Sequence, residues 1–147
     1  MLEIRLIGNP IPKIRKRSRA YWSKKAKRQY ERTRIAMAEQ YTHYPIAVPI
    51  AVKMFFFMVR PKSHCGTGRN AGKLKESAPM IHCVKPDVSN LVKFYEDCAN
   101  GIIWLDDSQI WRIQGAKIYC KPEEIPQTVI QIEGGKPWPQ VYPSKAT

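Results

Sequence analysis

Lys85-Pro86-Asp87-Val88-Ser89-Asn90-Leu91-Val92-Lys93-Phe94-Tyr95-Glu96-Asp97-Cys98-Ala99-Asn100-Gly101-Ile102-Ile103-Trp104-Leu105-Asp106-Asp107-Ser108-Gln109-Ile110 is the stretch from which the rest of the chain is read. Pro86 keeps Lys85 out of helical conformation. A helix is expected from about Ser89 to Ala99, because Val88, Leu91, Val92, Tyr95 and Ala99 recur on one face while Asn90, Lys93 and Asp97 fall on the other. Asn100-Gly101 stops that helix, and a short apolar run, Ile102 to Leu105, leads to a carboxylate pair. The stretch therefore sets Asp87 ahead of a helix, Lys93 on its polar face, and Asp106 and Asp107 after the following turn.

Working outward, Glu3 to Ile7 reads as a first strand, ended by Gly8-Asn9-Pro10. Residues 10 to 19 are Pro-rich and basic, without periodicity, and read as an extended arm. Ser23 is placed to cap a helix from about Lys24 to Tyr41. Ile46 to Val59 is apolar and β-rich, a central strand with a bulge near Pro49. Residues 60 to 79, Gly- and Lys-rich with no apolar pattern, read as a mobile basic surface loop. Gln109 to Cys120 and Thr128 to Glu133 read as two further strands, and residues 134 to 147 as a flexible Pro-rich tail. The order β-α-β-loop-α-β-β predicts an α+β fold: a single small domain over 1–133, with a mixed β-sheet and two main helices packed on it.

The chain has 147 residues and 25 Lys and Arg against 12 Asp and Glu, a formal net charge of +13. One domain with one modest core suits that length. The charge predicts attraction to nucleic acid or an acidic membrane surface. Arg5 interrupts the first apolar stretch, so no signal peptide is expected. The longest apolar run is too short for a span of roughly 20 residues. A cytoplasmic protein that does not enter membranes is the expectation. The thiols Cys65, Cys83, Cys98 and Cys120, scattered without a CxxC, are then expected to be free. His64-Cys65 and His82-Cys83 are two identical dipeptides flanking the loop, which raises the alternative of a zinc-stabilised nucleic-acid-binding module.

Acidic residues are scarce, so four Asp in one short segment point to a divalent cation, with the basic remainder of the surface free to hold a polyanion. That pairing is the pattern of a metal-dependent nuclease. Hydrolysis of a phosphodiester needs a nucleophilic water, neutralised phosphoryl oxygens and help for the leaving oxygen, and Mg²⁺ with carboxylate and water ligands supplies all three. In an extended segment residues 87 and 89 point the same way, so Ser89 stands where a second ligand is expected. Asp106 and Asp107 are placed to fold back over the helix start, and Lys93 to contact the scissile phosphate or the leaving group. Bland readings stand beside these. Asp87 can complement a helix dipole, Ser89 can be an N-cap, Asp106-Asp107-Ser108 is ordinary turn chemistry, and Lys93 with Asp97 is an i, i+4 surface pair.

Between Lys13 and Arg34 there are eleven Lys or Arg and one acidic residue, Glu31, with Tyr21, Trp22 and Tyr30 interleaved. Basic residues grip phosphates and aromatics stack on bases. The expected DNA-binding set is Lys13, Arg15, Lys16, Arg17, Arg19, Lys24, Lys25, Lys27 and Arg28, joined by Lys73 and Lys75 in the loop and by Lys85. Trp104 and Trp111, beside the acidic pair, are expected in the core.

These motifs together resemble the RusA-type Holliday junction resolvases, small endodeoxyribonucleases of bacteria and their phages. The resemblance rests on Lys85, Pro86, Asp87, Asn90, Leu91, Lys93, Asp97, Asn100, Gly101, Asp106, Asp107, Ser108 and Gln109, on the opening Gly8-Asn9-Pro10-Ile11-Pro12-Lys13, and on His82 just before the motif. It spans roughly residues 3 to 133. It implies a homodimer, Mg²⁺ (Mn²⁺ substituting) held by the Asp cluster, and paired nicks across four-way or branched DNA. By position, Asp87 and Asp107 carry over as metal ligands, Lys93 as a catalytic or phosphate-contacting residue, Asp106 as a further catalytic carboxylate and metal ligand with Ser89, and Asp97 as a nearby carboxylate. One departure stands out. The second Asp of the family pattern is Ser89 here, so a negative charge is missing from the metal site. A junction-binding protein with impaired catalysis is therefore the alternative on the same fold.

Overall fold

The computed structural model describes residues 1–14 and 23–134. The elements are β1 (Leu2–Ile7), α1 (Lys24–Gln40), β2 (Ile50–Met58), α2 (Val88–Ala99), β3 (Ile110–Tyr119) and β4 (Gln127–Gly134), in the order read from the sequence. The four strands form one sheet in the order β1-β4-β2-β3. β4 runs antiparallel to both β1 and β2, whereas β2 and β3 are parallel, so the sheet is mixed. A parallel pair requires a long crossover, and here the crossover carries the loop, α2 and the Asp106-Asp107 turn.

Alternation along the strands makes the core. Ile4 and Leu6 of β1, Val52, Met54, Phe56 and Met58 of β2, and Ile130 and Ile132 of β4 are buried and meet Met37 of α1 and Leu91 and Tyr95 of α2. Each such side chain contributes about 1.5–3 kcal/mol by leaving water. The opposite sheet face, with Lys53, Phe55 and Phe57, is only half-buried, so the domain has two layers. α1 begins where the sequence indicates: the Ser23 hydroxyl accepts the Ala26 N–H at 3.1 Å. β2 shows its register shift between Ile50 and Ala51, beside Pro49. The outer edge of β1 is closed by a side chain. Gln40 accepts the Arg5 N–H (2.9 Å) and donates to the Arg5 carbonyl (2.7 Å), which occupies main-chain groups a further strand would need.

One expectation changes. Trp104 is fully buried, but Trp111 is 45% exposed. β3 lies at the sheet edge, and Trp111 stacks instead with the Arg112 guanidinium, 5.1 Å from its ring centre. The loop at 60–79, basic and without an apolar pattern, has local structure of its own. It contains one-turn 3-10 helices at Lys62–His64 and Gly68–Asn70 and a bridge between Cys65 and Leu74. Arg60 anchors its base, donating to the carbonyls of Cys120 (2.7 Å) and Pro79 (2.8 Å) and lying 5.0 Å from the Tyr119 ring centre. Local main-chain bonds and an arginine clamp give it order without any apolar period. Arg15, Lys16, Arg17, Arg19, Tyr21, Trp22 and the tail from 135 lie outside the described residues. Among those described, no helix is long and apolar enough to cross a membrane.

Candidate active site

Asp87 is the N-cap residue of α2. Its carbonyl accepts the N–H groups of Asn90 (3.1 Å) and Leu91 (3.2 Å). Its carboxylate makes no cap hydrogen bond and is exposed. The backbone therefore does the capping, and the side chain is left free beside the positive end of the helix. Ser89, also exposed, lies inside the first turn and is not the cap.

The Asp106-Asp107-Ser108-Gln109 motif divides its work. Asp106 caps a one-turn 3-10 helix, accepting the Ser108 N–H at 3.1 Å, and Gln109 closes the box by accepting the Asp106 N–H at 2.8 Å. The bonds from Ser108, side chain first and then main chain, hold the Asp106 carboxyl below the usual range. Gln109 also donates to the carbonyls of Ile46 (2.8 Å) and Val48 (3.0 Å), tying the approach to β2 to the start of β3. Asp107 turns toward α2, where its Oδ2 lies 3.1 Å from Lys93 Nζ.

Lys93 is the hub. Besides Asp107, its ammonium lies 3.2 Å from Asp97 Oδ1 and 4.0 Å from Glu96 Oε2. The hydrogen bond that Lys93 donates to Asp107 does most to raise the ammonium above its ordinary range; partial burial opposes it, and Asp97 adds to it. Lys93 therefore stays charged near neutral pH and donates to these carboxylates. Burial pushes the Glu96 carboxyl up, against the pull of Lys93. Asp97 uses its other oxygen to hold Lys13 Nζ at 2.8 Å, and the Lys13 N–H donates to the Asn90 carbonyl at 3.0 Å. Lys13, placed by sequence in the DNA grip, is thus ion-paired at the root of the arm. Lys24, Lys25, Lys27 and Arg28 on α1, Lys73 and Lys75 in the loop, and Lys85 are exposed.

The donor set can be weighed against a metal. Among the described residues, no three His, Cys, Asp or Glu side chains converge as a closed metal cage. The zinc alternative lacks its cluster: the His64 and His82 rings both pack against Tyr119 (5.0 and 4.7 Å between centres), and Cys83 is exposed. Mg²⁺ needs no such cage, since it commonly keeps several waters and takes one or two carboxylates plus substrate phosphate. The hard oxygens of Asp87 and Asp107, with the Ser89 hydroxyl, fit that chemistry.

Two residues were missed from sequence. Arg34 of α1, counted with the basic arm, donates to the carbonyls of Cys98 (2.9 Å) and Asn100 (2.8 Å), at the negative end of α2. Lys117, given no role, donates to the carbonyls of Val84 (2.6 Å) and Pro86 (2.7 Å) across separations of 33 and 31 residues. No local pattern signals contacts over such distances.

A lysine ringed by carboxylates, on a strongly basic two-layer α+β domain, is an arrangement with which an enzyme could act on nucleic-acid phosphates. The chain is a member of the family described as endodeoxyribonuclease RusA, whose pattern matches residues 3–133. It is also similar to the uncharacterized protein YqaN of Bacillus subtilis (strain 168), with 25% identity over 142 residues, covering 89% of this chain and 96% of that protein.

Proposed function

We propose that this endodeoxyribonuclease is Mg²⁺-dependent and resolves Holliday junctions and related branched DNA by paired symmetric nicks, acting as a homodimer. The observation that carries the reading is the 3.1 Å contact between Lys93 and Asp107, which joins the two halves of the motif into one site. Asp87 and Asp107 are the metal ligands, with Ser89 contributing a neutral oxygen or leaving its place to water. Bound there, the ion supplies charge neutralisation and an activated water. Lys93, kept protonated, offers its remaining N–H to a phosphoryl or leaving oxygen. Asp106, expected as a further ligand, instead shapes the turn that presents Asp107, because its Oδ2 is taken by the Ser108 N–H.

A junction has two-fold symmetry, and a two-fold dimer presents two such sites to it. The first half of the outer edge of β3, with exposed Trp111 and Ile113 and short of the segment that pairs at Ile118, is an available face for the second copy. The formal charge of +13 supports binding through backbone phosphates, with choice by shape more than by base edges.

Ser89 favours a second reading, a junction binder with a silenced site. One experiment separates the two: cleavage of a labelled four-way junction, with a linear duplex control, in Mg²⁺, Mn²⁺ and EDTA. Wild type is expected to nick the junction symmetrically in either metal and not in EDTA. Asp107→Asn is expected to lose about a hundredfold or more of that activity, the scale on which removing one charge-stabilising group acts, while still binding the junction in EDTA. Tight binding without nicks, with activity appearing in Ser89→Asp, would establish the second reading. Equal cutting of the linear duplex would remove the junction preference.

A further inference from the structure

Residues 80–87 carry the chain into Asp87, and β3 grips that segment at four points. Two are main-chain bonds: the His82 N–H donates to the Lys117 carbonyl (3.1 Å) and the Tyr119 N–H to the Met80 carbonyl (2.9 Å), about the bridge between Ile81 and Ile118. The other two come from the Lys117 side chain. Its ammonium donates to the carbonyls of Val84 (2.6 Å) and Pro86 (2.7 Å), on either side of Lys85. Both are short, charge-assisted bonds. The second fixes the carbonyl immediately before Asp87.

The Asp87 carboxylate has no cap bond of its own. Its direction therefore rests on the main chain carrying it. On one side that chain is held by α2, through the N–H groups of Asn90 and Leu91. On the other side the tie is Lys117. The same strand begins directly after the turn that presents Asp107. β3 thus aligns both halves of the site, Asp107 at its entrance and the Asp87 turn through a side chain near its far end.

We propose that Lys117 is the positioning residue for Asp87, holding the 84–87 turn so that the carboxylate is preset to take a divalent cation. This rests on reading Asp87 as a metal ligand. Groups that orient a ligand without touching the metal commonly change affinity by ten- to a hundredfold.

The test uses the full chain with Lys117→Met and Lys117→Arg. Mn²⁺ binding is titrated without DNA by the paramagnetic resonance of the free ion, amide hydrogen exchange is followed over residues 84–91, and junction nicking is assayed in parallel. Lys117→Met is expected to weaken Mn²⁺ binding by about tenfold or more and to speed exchange at Asn90 and Leu91, with α1 unchanged. Lys117→Arg, which retains donors for two carbonyls, is expected to recover part of the affinity. Unchanged Mn²⁺ affinity in a folded Lys117→Met overturns the proposal. Faster exchange through α1 and the whole sheet also overturns it, because that marks general loss of stability. So does weaker junction binding in EDTA with Mn²⁺ affinity intact, which makes Lys117 a phosphate contact. A wild type that binds Mn²⁺ but makes no nicks counts against the nuclease reading alone and leaves the Lys117 comparison decisive. A wild type without Mn²⁺ affinity sinks both.

Discussion

Lys93 shows why an ion pair here concerns placement more than stability. Its side chain is 45% exposed, so water screens its attraction to Asp97 and Asp107. What the contacts achieve is a fixed ammonium beside a fixed carboxylate. The buried thiols show burial as the leading effect. Cys98 is fully buried, and burial pushes its thiol from 9.0 up to about 12. The folded state thus holds the Cys98 proton more tightly than the unfolded chain does. Its contribution to stability is complete below about pH 9 and is lost progressively as pH rises toward 12. Lys93, also raised, acts in the same direction at alkaline pH: its bonds are lost as pH climbs through its folded value. Urea unfolding at about pH 8 and about pH 10.5 should give a lower midpoint at the higher pH, with a shallower dependence in Cys98→Ala. In the native chain a maleimide should label the exposed Cys83 rapidly and the buried Cys98 and Cys120 only after unfolding, read by mass spectrometry.

α2 is seated on β3 through a glycine. A Cβ built on Gly115 would lie 3.0 Å from a methyl of Val88 and 3.0 Å from one of Val92. The helix that carries Asp87 and Lys93 can approach β3 closely because that position has no side chain. Gly115→Val should therefore cost about 1–3 kcal/mol by overpacking and shift α2 against β3. Denaturant midpoints would measure the first effect, and reduced nicking at saturating Mg²⁺ the second. A different glycine, Gly101, ends α2. Its φ of +78° lies in the left-handed region, and its N–H donates to the Trp104 carbonyl at 2.7 Å. Asn100 completes the turn by accepting the Trp104 indole N–H at 2.7 Å.

Among the described residues the basic side chains separate into exposed charge and charge used inside the fold. Lys24, Lys25, Lys27 and Arg28 are exposed on α1, whereas Arg34, on the same helix, closes the end of α2. Junction affinity in EDTA should fall linearly on a log–log plot against salt. Lys27→Ala should reduce that slope by about one. Arg34→Ala should leave the slope unchanged and cost about 1–2 kcal/mol of stability instead. Fluorescence anisotropy over a salt series, with urea unfolding of the same variants, distinguishes the two. A slope unchanged from wild type in Lys27→Ala would mean that Lys27 does not contact phosphate. The proposed dimer is checked by sedimentation equilibrium, with Ile113→Lys on the β3 edge expected to give monomers.

The order of elements, the Ser23 cap, the Asn100-Gly101 stop and the irregularity beside Pro49 were legible in the chain because each arises between residues a few positions apart. Periodicity, capping and turn preferences act over that range. The candidate residues Asp87, Lys93 and Asp107 were legible as a motif for the same reason. Their division of labour was not. That Asp106 caps while Asp107 meets Lys93, that Arg34 serves α2 and Lys117 the Asp87 turn, and that Trp111 faces outward on an edge strand all depend on which elements become neighbours. A parallel β2–β3 pair brings together groups more than 30 residues apart, and the side chains then satisfy whatever carbonyls and carboxylates that packing leaves beside them. Local sequence preferences do not encode those distances; the packing of α2 against β3 does.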